Sequence, residues 1–168
     1  MQRVKISILI FVVVLLMFIP VTAMGLYTPE VSEQHGVVTV RSVADIGWIV
    51  GGEFGLTDDL AIVTDVGDKD YNRAGIKFML NPELAVIGGV SHSKLFLGFD
   101  FAGDFTDNIT GIGEVDIYKF DDDQLATDYE LGLKFNLTQQ LDLRAGLLGT
   151  ITQTDTSQHF QLGLGYRF

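Results

Sequence analysis

Few residues of this 168-residue chain have types and spacing suited to covalent chemistry. The chain contains no Cys and 3 His, which excludes a thiol nucleophile and a Cys-based zinc site. Ser91-His92-Ser93 places hydroxyls beside an imidazole, the pair that a serine nucleophile uses together with an orienting acid. The sequence places no acid beside His92, and neighbouring side chains of an extended segment point in opposite directions. We therefore interpret these as ordinary loop residues and predict no catalytic residue.

Metal binding is the second chemistry to consider. The run Asp121-Asp122-Asp123 offers the carboxylate oxygens that Ca²⁺ and Mg²⁺ prefer. It lacks the Gly and the spaced ligands of a calcium loop, and His35 and His159 have no partner at metal-ligand spacing. A charge run of this kind is usually a solvated loop. We predict neither a metal site nor a cofactor.

The charge balance excludes nucleic acid as a partner. The chain has 22 acidic and 11 basic residues, a formal net charge of -11, and no cluster of Lys and Arg. A phosphate backbone requires a basic face. The hydrophobic share of 47% also argues against disorder.

The first segment has the layout of a secretory signal peptide. Arg3 and Lys5 precede an apolar run over residues 6–19, and Ala23 follows as a small residue. An uncleaved anchor is the alternative, but a spanning helix needs about 20 apolar residues. We predict a cleaved signal peptide over residues 1–23, followed by a periplasmic tail over 24–35, where Thr28-Pro29-Glu30 could start one helical turn.

After this segment, apolar residues alternate with Gly and charged residues. Leu95, Leu97 and Phe99, for example, lie opposite Gly98 and Asp100. A period of two predicts strands. We predict strands over 44–56, 60–66, 73–80, 84–91, 95–105, 109–118, 128–136, 140–151 and 159–168.

Two kinds of connection separate these strands. Short polar turns recur around residues 57–59, 81–83, 106–108 and 138–140, and longer, more acidic connections lie between them. This arrangement is typical of an antiparallel up-and-down transmembrane β-barrel with periplasmic short turns. Such barrels need an even strand count, and the β-branched residues 36–41 can supply a tenth strand. We predict a ten-stranded barrel domain over 36–168. Eight strands are the alternative, with a bulge in one long strand near Ser42.

The charged face of the strands must line the barrel interior, since a charge at the bilayer midplane costs about 2–4 kcal/mol. Small barrels have interiors that side chains can fill, so we expect a closed, salt-bridged network. Its predicted members are Asp45, Glu53, Asp65, Arg73, Lys77, Asp100, Asp104, Glu114, Asp116, Glu130, Lys134, Asp142, Arg144 and Arg167. A soluble, lipocalin-like barrel with the two faces reversed is the other fold considered.

The terminal strand carries a family resemblance. Alternate residues Phe160, Leu162, Leu164, Tyr166 and Phe168 resemble the closing strand of Gram-negative-type outer-membrane β-barrel proteins. The resemblance implies the outer membrane of a two-membrane bacterium as the location. It also implies outer-membrane lipids, periplasmic chaperones and the barrel assembly machinery as partners, with this strand as the assembly signal. We expect a monomer.

The function predicted from these observations is a small non-enzymatic barrel with a structural or membrane-anchoring role and acidic outer loops. A narrow, weakly cation-selective pore for small solutes is the alternative, because acids outnumber bases on the inward face. A lipid-modifying hydrolase, as in some similar barrels, is the second alternative. It would require Ser91 or Ser93 to meet His92 or His159 near an acid.

Overall fold

A computed structural model describes residues 28, 30–68, 71–119 and 124–168. The predicted signal peptide and the run 121–123 lie outside the described residues. The described chain forms a closed antiparallel barrel in which each strand pairs with its sequence neighbours and β1 pairs with β10. Its strands are β1 Gly36–Val43, β2 Gly47–Gly55, β3 Leu60–Gly67, β4 Asn72–Asn81, β5 Leu84–Ser91, β6 Lys94–Thr106, β7 Ile109–Lys119, β8 Leu125–Asn136, β9 Leu141–Ile151 and β10 Thr156–Arg167. The described part contains no helix of the length and apolarity that a membrane crossing requires.

The prediction of ten strands is confirmed, and the alternative of eight is wrong. The connection near Ser42 is a tight turn and not a bulge. Ser42 pairs with Trp48 across it, and the backbone reverses through left-handed conformations at Asp45 (φ 64°) and Gly47 (φ 117°). A φ of this sign is readily adopted by Gly and tolerated by Asp. The strand predicted to begin at residue 44 therefore begins at Gly47.

The two faces of the barrel differ in polarity. Large apolar side chains such as Leu97, Ile76 and Phe160 are 56–58% exposed on the outer surface. Charged side chains such as Arg41, Lys77 and Asp100 are fully buried on the inner face. The alternation of the strands produces this division, because successive side chains point to opposite faces. The reversed arrangement of a soluble barrel is not the one adopted.

The interior also contains apolar residues that the sequence analysis did not predict. Val43, Ile49 and Leu148 form a buried cluster near the end of the barrel opposite the short turns. Val63, Ile87 and Phe96 form a second cluster. Ile46 and Tyr71 pack against the first cluster, and Tyr118 packs against the second.

The segment before β1 is not a free tail. The backbone N–H of Gln34 donates to Gly55 O at 3.0 Å, and Lys77 Nζ donates to Thr28 O at 2.6 Å. Val31 is buried. Thr28 and Glu30 are not helical, and Pro29 lies outside the described residues. The described part of residues 28–35 thus lies against the short-turn mouth of the barrel.

Aromatic rings on the outer surface pack over glycines of the neighbouring strand. Phe101 faces Gly113 across the β6–β7 pair, and Tyr129 faces Gly149 across the β8–β9 pair. A Cβ at Gly113 would overlap ring carbons of Phe101, and a Cβ at Gly149 would overlap the ring of Tyr129. Each ring occupies the space that the missing side chain leaves, which pins the register of the two strands.

We expect Gly113→Ala to destabilise the barrel by about 1–3 kcal/mol, because the added methyl group displaces the Phe101 ring. Gly103→Ala is the matched control, since a Cβ at Gly103 meets nothing within 4 Å. Urea unfolding of the barrel in lipid vesicles measures both changes. Equal effects of the two substitutions would contradict the packing role of Gly113.

Candidate functional site

The inner face carries a network of charged side chains. In the half of the barrel away from the short turns, Arg73 lies at the centre of this network. The Arg73 guanidinium pairs with Glu114 and lies 2.9 Å from Asp116 Oδ2 and 3.7 Å from Asp65 Oδ2. It also lies over the ring of Phe96, 4.6 Å from the ring centroid. Strands β3, β4 and β7 bring these groups together. One cation thus compensates several buried carboxylates.

Arg41 on β1 completes this part of the network. It is fully buried, pairs with Asp65 and lies 4.0 Å from Glu130 Oε1. Its guanidinium carbon lies 5.8 Å from the centroid of the Tyr71 ring. Burial raises the pKa of Tyr71, in the β3–β4 connection, well above its ordinary value. The phenol therefore stays neutral beside Arg41.

A second group of charges surrounds Lys77 at the middle of β4. Lys77 Nζ lies 2.5 Å from Glu53 Oε2 and 3.7 Å from Asp100 Oδ2. All three side chains are at least nine-tenths buried. Strands β2, β4 and β6 thereby share one ion-paired layer inside the barrel.

The third group lies at the short-turn end. Asp142 accepts from Arg144 Nε at 2.5 Å and from Arg167 Nη2 at 3.1 Å. Arg167 also donates to Asn136 Oδ1 at 2.8 Å. Lys134 lies directly opposite Arg144 in the β8–β9 register. Bases exceed acids in this group, unlike in the two others.

Twelve of the fourteen residues predicted for the network belong to these three groups, and Asp45 and Asp104 do not. The Asp45 side chain is 86% exposed, because residue 45 lies in the β1–β2 turn; its Oδ2 is 3.6 Å from His159 Nδ1. Asp104 is exposed near the end of β6, where the register shifts, and accepts a hydrogen bond from Thr110 Oγ1 at 2.7 Å. Neither carboxylate reaches the enclosed part of the interior.

Arg41 is the member of the network that the sequence analysis missed. Residues 36–41 are predicted as a strand from their β-branched content, which gives no face for Arg41. Thr39 and Arg41 are buried while Val38 and Val40 are exposed, which is the same period of two. Extending the alternation into this strand would have placed Arg41 inside.

The network closes the middle of the barrel. Arg41, Asp65, Lys77, Asp100 and Asp142 are 0–1% exposed, so a sphere of the radius of water does not reach their side chains. A cavity of about 10 Å³ beside Arg73 and Glu114 has room for roughly one water molecule. A larger cavity of about 410 Å³ lies at the short-turn mouth.

The residues considered for catalysis lie at the β5–β6 turn, and the nearby carboxylate of Asp128 accepts hydrogen bonds from Tyr118 and Thr150. His92 Nδ1 lies 3.0 Å from Ser91 Oγ, and the His92 ring contacts Tyr71 edge to face at 5.1 Å. Positive φ angles at His92 (50°) and Ser93 (64°) are those of a two-residue hairpin. The Ser91 side chain is buried, and His159 pairs with Asp45 instead. Within the described ranges, no group of three His, Asp or Glu side chains could hold a metal ion.

Solved structures of barrels resemble this chain in general architecture. The N-terminal β-barrel domain of Pseudomonas aeruginosa OprF is 15% identical with a TM-score of 0.46, and the match covers 81% of this chain and 98% of that one. Acinetobacter baumannii Omp33 is 11% identical with a TM-score of 0.41, covering 86% and 100%. The KdgM porin is 9% identical with a TM-score of 0.44, covering 80% and 99%.

A search of the curated proteins finds no match. The family model for the outer membrane protein beta-barrel domain matches residues 32–168, which include every strand of the barrel. The closed ten-stranded fold, with its apolar outer surface and charged interior, agrees with that match. The chain therefore belongs to the outer membrane protein beta-barrel domain family.

Proposed function

We propose that the protein is a closed, non-enzymatic barrel that anchors in the outer membrane and has a structural role there. The observation that carries this proposal is the filled interior. Ion-paired side chains from strands two apart around the barrel, such as Arg41 with Asp65 and Lys77 with Asp100, fill its middle, where their exposure is 0–1%. A conducting path along these side chains would leave them in contact with water.

The connections between strands agree with a structural role. Those at the end opposite the short turns are the β1–β2, β3–β4, β5–β6, β7–β8 and β9–β10 connections, and none exceeds a few residues between the strand bounds. Connections of this length do not form a separate binding domain. Recognition of the terminal strand by the assembly machinery and by periplasmic chaperones stays a prediction, as does cleavage after residue 23.

A conductance measurement tests the proposal. We expect the folded chain without residues 1–23 to produce no reproducible current steps in planar bilayers, because the ion pairs fill the interior. Heat-modifiable gel mobility serves as the control for folding. Steps of constant size from the folded barrel would contradict the closed interior.

A narrow cation-selective pore is the second candidate function. Among the described residues, seven acidic and five basic side chains are buried, an excess that favours cations wherever water enters. In this case current steps would appear, and Asp100→Asn with Glu114→Gln would abolish their cation selectivity. Asp45→Asn is the matched control, since the Asp45 side chain is exposed outside the network.

A further inference from the structure

A cavity at the short-turn mouth, open to the outside, is a feature of the inner face that the closed-barrel function does not use. Its volume of about 410 Å³ is within the range of small-ligand sites. Polar side chains line much of its wall, including Lys134, Arg167, Gln139 and Gln140. The cavity lies at the mouth of the barrel, so a solute can enter it without crossing the closed middle.

The charges on one wall of this cavity favour an anion. Lys134, Arg144 and Arg167 contribute three positive charges, and Asp142, which pairs with both arginines, contributes one negative charge. Glu53 also lines the cavity, and it shares Lys77 with Asp100, so that neighbouring group keeps one negative charge. Glu30 lies near Lys134 at the exposed rim. An excess of positive charge remains on the wall formed by β8, β9 and β10.

Lys134 is the residue that points to a ligand. Its side chain is 93% buried and lines the cavity, since its exposure is 7%. In the described part of the chain, no hydrogen-bond acceptor or carboxylate lies within bonding distance of Lys134, whereas Arg144 and Arg167 each bind Asp142. An ammonium group at the wall of a cavity, with no acceptor among the described residues, is available to bind an anion. An anionic group in the cavity would supply the missing acceptor.

We propose that the short-turn cavity binds a small anion through a carboxylate or phosphate group, with Lys134 as its main contact. Arg167 and Arg144 add positive charge from the neighbouring strands, and Gln139 and Gln140 offer amide groups at the rim. The ligand is either a free solute on the short-turn side or the phosphate of a lipid headgroup at the same depth. This site does not depend on whether the barrel conducts.

Calorimetric titration of the full barrel in neutral detergent at pH 7 tests the proposal, with inorganic phosphate and citrate as probes. We expect saturable binding that weakens at least tenfold in Lys134→Gln. Lys119→Gln removes the same charge from an exposed position at the other end of the barrel, and we expect its affinity to stay within twofold of the unaltered chain. Equal binding by Lys134→Gln, or no binding of any probe, would overturn the proposal.

A second set of titrations distinguishes the two sources of the anion. Nanodiscs of phosphatidylcholine with and without phosphatidylglycerol are compared in the absence of free anions. Protection of Lys134 from amine acetylation, read by mass spectrometry, reports occupancy in the unaltered chain and avoids any folding defect of a variant. Protection by phosphate or citrate alone assigns a free solute, and protection only by phosphatidylglycerol assigns a headgroup. Equal acetylation in all conditions would overturn the site.

Discussion

Arg73→Met is expected to lower the free energy of unfolding by about 3–5 kcal/mol. The substitution leaves Glu114 and Asp116 without their cation, while Asp65 keeps its pair with Arg41. It also removes the guanidinium from the face of Phe96. Removing one partner of a buried ion pair leaves an uncompensated charge in the closed interior, which strongly destabilises the fold.

Urea unfolding in lipid vesicles, followed by the fluorescence of Trp48, measures this loss, because the chain contains one Trp. Arg167→Met is the control: its side chain is 35% exposed, so we expect less than about 1 kcal/mol. Adding Glu114→Gln to Arg73→Met should restore part of the stability, because one unpaired charge is removed. A loss below about 1 kcal/mol for Arg73→Met would show that the network does not depend on this residue.

Leu131→Arg is expected to cost about 2–4 kcal/mol when the barrel is folded in lipid. Leu131 is 46% exposed on the outer surface near the middle of β8, where lipid chains surround the barrel. A charge at this depth loses its hydration and finds no partner on an apolar surface. The prediction therefore tests the direction in which the two faces point.

Leu125→Arg is the matched control at the outer end of the same strand, with an exposure of 59%. Charged substitutions near the membrane interface cost about 0–1 kcal/mol. The loss of unfolding free energy should therefore be several-fold larger for Leu131→Arg than for Leu125→Arg. Urea unfolding in phosphatidylcholine vesicles provides the comparison. Equal losses of unfolding free energy in the two variants would show that lipid does not surround the middle of β8.

The strands and their faces could be predicted because the cause is local. Alternation in segments such as 95–101 requires only that successive side chains of a strand point in opposite directions. The rule that charges avoid the bilayer centre then decides which face is inside. The same rule, applied to the first strand, would have included Arg41. The prediction that Asp45 faces the interior is wrong, because residue 45 lies in the tight β1–β2 turn and not in a strand.

The partners of the interior charges could not be predicted in the same way. Arg73 and Glu114 lie 41 residues apart, and Lys77 and Glu53 lie 24 residues apart. Their contact depends on the stagger of the strands around the barrel, which sets the height of each inward side chain. Alternation gives the face of a residue and not its height. The aromatic rings over Gly113 and Gly149 depend on the same register.

Period-two alternation and the cost of a charge in lipid are enough to predict an all-β barrel with an apolar outside and a charged inside. Two properties become visible only in the folded barrel: the middle is closed, and Lys134 lies at a cavity without a carboxylate partner in the described chain. Both properties depend on which side chains meet across the interior. That meeting is set by closure of β1 onto β10, a contact between the two ends of the barrel domain.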